Sequence, residues 1–183
     1  MSRSIGSPRW SPQLLARAAH IRAIVFDVDG VMTDGRLYRD DSGQEIKAFH
    51  SRDGLGLKGL MKNGFTLVTL TARNTRLVQV RMHELGIENL FQGREDKGAA
   101  FCEILEQFEL DGSRVAYMGD DLVDWPAMRQ AGLKLCPGDA EEWIIKRVDY
   151  ATRARGGQGA VREAAELLLA GHGLLDSWRE SFL

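Results

Sequence analysis

Asp27 and Asp29 stand one residue apart at the end of a short apolar run, Ile24-Val25-Phe26, and Gly30 follows them. Two carboxylates so close, at the tip of a buried strand where little water screens them, repel each other and raise their own pKa values unless a cation or donors lie beside them. A metal ion is the first partner to look for. Three further groups could do chemistry with them: Thr71 with Arg73, Lys97, and Gly119-Asp120-Asp121 with Asp124. Carboxylates from two separate tips supply the hard oxygens that suit Mg²⁺, which takes few carboxylates and keeps several waters. A hydroxyl, a lysine and helix N-terminal amides beside that ion make a phosphate site.

These residues need elements that bring them to one place. Apolar, β-branched or aromatic runs predict strands ending at Phe26 and over 65–70, 90–91, 115–118, 133–136 and 149–152. Helices are expected between them. Ser11-Pro12 has the chemistry of a helix start, Asp53 can cap a helix that stops at Asn63-Gly64, and Asn74 starts one that Gly86 ends. Asp96 caps a helix to about Phe108, and others are expected over 122–131, 140–146 and 160–170. Around Asp40-Asp41-Ser42-Gly43 the residues from Leu37 to Phe49 read as a β-hairpin that projects beyond the first strand. The β-α alternation predicts an α/β fold, a doubly wound parallel sheet with helices on both faces. Ligands bind beyond the C-terminal strand ends in such sheets, where all four groups fall.

The composition narrows the function. At 183 residues, 44% of them hydrophobic and 27% charged, the chain suits one domain with its own core. A net charge of -2 gives no nucleic-acid footprint, so any basic cluster acts on a small anionic ligand. Cys102 and Cys136 lack metal-ligand spacing and read as buried, reduced thiols. Ser7, Pro8, Trp10 and Pro12 occupy the place of a signal peptide's apolar core, and no run has membrane length, so no membrane partner and a cytoplasmic location are expected. His20, His83 and His172 show no ligand spacing, and Trp125-Pro126 reads as packing and helix initiation.

Asp27-x-Asp29-Gly30-Val31, Leu70-Thr71-Ala72-Arg73, Lys97 and Gly119-Asp120-Asp121-x-x-Asp124, in this order, resemble the haloacid dehalogenase superfamily of aspartyl-nucleophile phosphatases. Thr33-Asp34-Gly35, the Asp53 to Lys58 stretch, residues 118–126 and residues 156–163 extend the likeness over 21–175. They point to a capless, tetrameric branch acting on the 8-phosphate of the sugar acid 3-deoxy-D-manno-octulosonate, a lipopolysaccharide precursor. Ala72 departs from the glycine expected there, and Lys58 stands where relatives often have arginine. The resemblance implies a phosphatase domain over 21–175, between an N-terminal extension at 1–20 and a C-terminal tail at 176–183. No insertion large enough to be a cap lies between Gly30 and Asp53 or between Arg73 and Lys97.

The roles follow from that resemblance and from what ester hydrolysis requires. Asp27 is the expected nucleophile and Asp29 the general acid and base. Thr71 and Lys97 hold the phosphoryl oxygens. Mg²⁺ is held by the Asp27 side chain, the Asp29 carbonyl and Asp120, while Asp121 and Asp124 orient waters and Lys97. For the sugar acid the available groups are Asp29, His50, Ser51, Arg52, Asp53, Gly54, Lys58, Arg73, Arg81 and Lys97, with arginine suited to a carboxylate by its two-pronged fork. The hairpin's uncovered edge invites another copy, and the resemblance implies a homotetramer. The tail, with Trp178, Phe182 and Leu183, is more apolar than a free terminus and is expected to dock, on a neighbouring subunit's active-site mouth or on its own domain.

Three other readings compete. A response-regulator receiver would carry its acid pair on the first strand and its phosphorylated aspartate on a later one, the reverse of the arrangement here. A non-catalytic assembly module would need no complete set of aspartates. Within the enzymes, a nonulosonate 9-phosphate phosphatase is the alternative substrate class.

Overall fold

Six parallel strands form the central sheet of the computed structural model, which describes residues 9–183. In chain order the strands are β1 (Ala23–Phe26), β2 (Tyr38–Arg39), β3 (Glu45–Ile46), β4 (Thr66–Leu70), β5 (Leu90–Phe91), β6 (Val115–Met118), β7 (Leu133–Cys136) and β8 (Tyr150–Ala151). The sheet runs β5-β4-β1-β6-β7-β8, and β2 and β3 form a separate antiparallel hairpin. The order therefore reverses at β1, with β4 on one side and β6 on the other. A crevice must open there between connections that leave in opposite directions, which makes this the ligand-binding switch point of such sheets.

The helices are α1 (Pro12–Ala18), α2 (Ser51–Lys62), α3 (Arg76–Leu85), α4 (Lys97–Gln107), α5 (Trp125–Met128), α6 (Glu142–Ile145), α7 (Ala160–Gly171) and α8 (Leu175–Glu180). Alternate β1 residues enter opposite cores. Ile24 and Phe26 pack with the apolar faces of α2, α3 and α7, whereas Ala23 and Val25 pack with those of α4, α5 and α6. Burial on both faces explains why β1 is apolar throughout instead of alternating.

Several element boundaries differ from the sequence expectation. His50, not Asp53, caps α2: its ring accepts from the Arg52 amide at 3.1 Å. Asp53 sits in the first turn of α2 and reaches across to α7, accepting the Arg162 amide at 2.7 Å and the Gly159 amide at 3.3 Å. Thr75, one residue later than expected, caps α3. The helix expected over 122–131 is split into a 3-10 turn, Leu122–Asp124, and the short α5, because Asp124 turns inward toward the site. Cys102 is exposed on α4, contrary to expectation, while Cys136 is buried on β7.

Both ends of the described residues join the core. Of the N-terminal extension expected at 1–20, residues 1–8 lie outside the described residues; Trp10 is buried, and α1 lies so close to α7 that a Cβ on Gly171 would stand 2.7 Å from that of Ala18. The expected tail boundary falls inside α8. Leu175 and Trp178 are buried, and the Trp178 indole lies over Gly59 of α2 and under the Arg162 guanidinium, 4.5 Å from the ring centroid. This much of the tail docks on its own domain, leaving Phe182 and Leu183 exposed. Between Gly30 and α2 there is only the hairpin, and between Arg73 and Lys97 only α3 and β5, so no cap domain covers the strand tips.

Candidate active site

Hydrogen bonding along β1 carries Asp27 one residue past the last strand pair, where its amide donates to the Met118 carbonyl at 3.0 Å. This sets the tips of β1 and β6 side by side. Gly30 then turns with φ +85°, and a Cβ there would lie 2.0 Å from Oδ2 of Asp120, so only glycine lets the two acidic loops approach. Lys97 enters from the start of α4, where Asp96 caps the helix by accepting the Ala99 amide at 2.9 Å.

Asp27, Lys97 and Asp124 are buried and form a connected set. The Lys97 ammonium lies 3.0 Å from Oδ1 of Asp27 and donates to Oδ1 of Asp124 at 2.6 Å. Asp124 Oδ1 also accepts the Tyr117 hydroxyl at 2.8 Å, and its Oδ2 accepts the amides of Asp120 and Asp121 at 3.1 and 3.4 Å. A carboxylate with four donors around it is locked in place, so Asp124 fixes Lys97 from behind. Asp121 accepts the Leu122 amide at 2.7 Å and caps the 3-10 turn that presents Asp124. Thr71 is held by β5, its amide donating to the Phe91 carbonyl at 2.9 Å.

The electrostatics call for more positive charge than the protein supplies. Burial first, and the Asp124 charge second, push Asp27 up from 3.8 to about 7 in spite of Lys97. Burial, with the charges of Asp27 and Asp124, pushes Asp120 up to about 8. Burial acts to lower Lys97, but the two aspartates outweigh it and hold the amine above its ordinary value. Carboxylate oxygens of Asp27, Asp120 and Asp124 all lie within 4.8 Å of one another. Three hard oxygens opposed by a single lysine fit a divalent cation, and Asp27 with Asp120 are the two not already saturated by donors.

A cavity of about 290 Å³ opens here, lined by Asp27, Asp29, Gly35, Thr71, Ala72, Arg73, Lys97, Asp120, Asp121 and Val123. Thus the four groups separated in sequence meet. The substrate candidates divide. Asp29, Arg73 and Lys97 line the cavity, whereas Arg81 lines a neighbouring one of about 320 Å³ with Lys47, Phe49 and Arg76. His50 and Asp53 are engaged at helix ends, Gly54 packs beneath Arg81, and Ser51, Arg52 and Lys58 are exposed on α2 away from the strand-tip cavity. A larger cavity, about 520 Å³, lies at the opposite end of the sheet among Arg17, Arg22 and Arg114 and contains none of the strand-tip acids.

Sequence reasoning missed three residues here. Tyr117 looked like an ordinary strand residue, and only its register places the hydroxyl on Asp124. Glu45 and Lys47, at the hairpin, form ion pairs with Arg73 and Asp29. Their alternation, two residues apart and thus on one side of an extended chain, was the available signal.

The fold and the gathering of acids at its strand tips are those of a hydrolase of the haloacid dehalogenase type, and residues 55–132 match the family described as haloacid dehalogenase-like hydrolase. The chain is 43% identical over 166 residues to the 3-deoxy-D-manno-octulosonate 8-phosphate phosphatase of Escherichia coli strain K12, covering 91% of this chain and 88% of that one. It therefore belongs to the 3-deoxy-D-manno-octulosonate 8-phosphate phosphatase family. The crystal structure of the Yersinia pestis phosphatase superposes with a TM-score of 0.89 at 41% identity, covering 91% of this chain and 90% of that one. That of the Moraxella catarrhalis phosphatase, in complex with a magnesium ion, a phosphate ion and a KDO molecule, gives a TM-score of 0.92 at 36% identity, covering 95% of this chain and 100% of that one.

Proposed function

We propose that this chain is a Mg²⁺-dependent phosphoric monoester hydrolase that converts 3-deoxy-D-manno-octulosonate 8-phosphate and water to the sugar acid and inorganic phosphate, in lipopolysaccharide precursor biosynthesis. The observation that carries this reading is the meeting of Asp27, Asp29, Thr71, Lys97 and Asp120 at one cavity, in a chain 43% identical to such a phosphatase over 91% of its length.

In this reading Asp27 attacks phosphorus in line, and an aspartyl-phosphate forms as the bond from phosphorus to the sugar oxygen breaks. Asp29 gives its proton to that departing oxygen. A water then attacks the aspartyl-phosphate, Asp29 takes the proton it loses, and phosphate leaves with Asp27 restored. Lys97 and Thr71 hold the phosphoryl oxygens, and Tyr117 with Asp124 keeps Lys97 in position. Mg²⁺, held by the Asp27 side chain, the Asp29 carbonyl and Asp120, supplies positive charge beside the phosphoryl group when bound. Within one chain Arg73 is the cation best placed for the sugar-acid carboxylate, since it lines the cavity and Lys58 does not.

The test is a panel of phosphate esters assayed with Mg²⁺. The 8-phosphate of 3-deoxy-D-manno-octulosonate should be turned over much faster than hexose phosphates or a nonulosonate 9-phosphate; preference for the nonulosonate ester would change the substrate class, and no hydrolysis of any would end the reading. A homotetramer is part of the same proposal, supported by Leu37, Tyr38 and Ile46 exposed on the hairpin, with Ile46 61% exposed. Light scattering showing a monomer at micromolar concentration would overturn it. No helix among the described residues is long and apolar enough to cross a membrane. We place the protein in the cytoplasm, which fractionation of cells producing the full chain would check.

A further inference from the structure

The hairpin reaches back into the site. Lys47, one residue past β3, has a side chain only 2% exposed, and its ammonium donates to Oδ1 of Asp29. The same nitrogen lies 3.0 Å from Oε1 of Glu45, but that oxygen receives no well-directed hydrogen bond, so the contact is one of charge and the directed bond goes to Asp29. Oε2 of Glu45 accepts from Arg73, which ties β3 to the loop after β4. Asp29 has no other hydrogen-bond partner among the described residues. A lysine on a projecting hairpin could extend into water at little cost. Withdrawing its charge from water instead is unfavourable unless the partners return that energy, so this is unlike an ordinary exposed ion pair.

We propose that Lys47 is a positioning residue for the phosphatase reaction: it holds the Asp29 carboxyl toward the leaving oxygen, and Glu45 holds Lys47. The inference rests on the reading of Asp29 as the general acid. A carboxyl on a loop with no neighbour to fix it samples several rotamers, and only one faces the ester oxygen. The hairpin is then part of the catalytic apparatus as well as a candidate contact between copies.

The experiment compares kcat and KM of the full-length protein on the sugar-acid phosphate and on 4-nitrophenyl phosphate. Its variants are Lys47→Met, Lys47→Arg, Glu45→Gln, Asp29→Asn and the Lys47→Met/Asp29→Asn double. Lys47→Met should lower kcat/KM on the sugar-acid phosphate by about 100-fold, the scale of misplacing a catalytic group by an ångström, and chiefly through kcat. Lys47→Arg should restore most of it. Nitrophenolate leaves without a proton, so kcat/KM for the aryl ester should fall by less than about threefold. In the Asp29→Asn background Lys47→Met should cost nothing further, because it acts only through Asp29. Equal losses on both esters, an additive loss in the double variant, or undiminished kcat/KM in Lys47→Met would overturn the proposal. If Lys47→Met does not fold, Glu45→Gln decides: a fall in kcat on the sugar-acid phosphate that disappears in the Asp29→Asn background supports it, whereas a change in KM alone, which Arg73 would give, or equal losses on both esters refute it. Full activity of Asp29→Asn on the sugar-acid phosphate would instead sink the general-acid reading itself.

Discussion

Raising the pH from 5.5 to 9 should tighten Mg²⁺ binding steeply and then stop doing so. In the metal-free protein burial, reinforced by neighbouring acids, lifts Asp27 to about 7 and Asp120 to about 8, from 3.8 for each. An ion bound by carboxylates must displace their protons. Below about pH 7 both groups hold one, so the apparent association constant should rise by up to about a hundredfold per pH unit; between 7 and 8 the rise is about tenfold, and above 8 it levels off. The sign for stability follows from the same shifts. Folded-state pKa values raised above the unfolded ones mean that the metal-free protein retains protons the unfolded chain has released. Its stability should therefore be highest below about 4 as far as these groups are concerned, and fall as pH rises through 7 and 8. For Asp27 alone the shift from 3.8 to about 7 is worth on the order of 4 kcal/mol. Mg²⁺ should offset that loss, so the gain in Tm on adding the ion should widen with pH. Calorimetric titration at pH 6 and pH 9, in two buffers of different ionisation enthalpy, counts the protons released per ion. Nearly two at the lower pH and nearly none at the higher are expected. Equal affinity at both, with no proton release at either, would refute the placement of the metal between Asp27 and Asp120.

Asp27→Asn should abolish turnover in a folded protein, and a variant retaining more than about a tenth of the rate, a loss of only ~1.4 kcal/mol, would not have lost its nucleophile. Arg73→Ala should weaken KM for the sugar-acid phosphate more than for an aryl phosphate; identical losses would assign Arg73 to the phosphate or, through Glu45, to the hairpin. Trp178→Ala, which empties a site 5% exposed against α2, should destabilise the fold by about 3–5 kcal/mol, and chemical denaturation would measure it. Truncation after Gly173 should likewise lower Tm, since it removes Leu175 and Trp178 together; an unchanged Tm would mean that α8 is not part of the core. Asp53→Ala should cost about 1–2 kcal/mol by uncapping α7 at a distance from the chemistry, and normal kcat in the surviving folded fraction would separate that role from substrate binding.

The order of residue types was enough to foresee a parallel sheet with acids gathered at its strand tips. Apolar runs such as Ile24-Val25-Phe26 are short, buried on both faces and followed at once by acids, and alternation with capped helices leaves only a handful of ways to stack them. Asp27, Asp29, Thr71, Lys97 and Asp120 were legible because each lies within three residues of a strand's end or opens a helix, so local structure fixes where it goes. The tertiary structure alone decided what depends on register between distant segments. Asp53 has the sequence context of a cap for its own helix, yet a lateral approach gives its carboxylate to α7, more than a hundred residues away. Tyr117 and Asp124 meet through the inward turn of the 3-10 segment, and the C-terminal apolar residues find Gly59 because the absent side chain leaves room for an indole. Lys47 reads as one more surface lysine on a polar hairpin. Its meeting with Asp29 comes from the hairpin folding over the β1 tip, a long-range contact that no local propensity encodes.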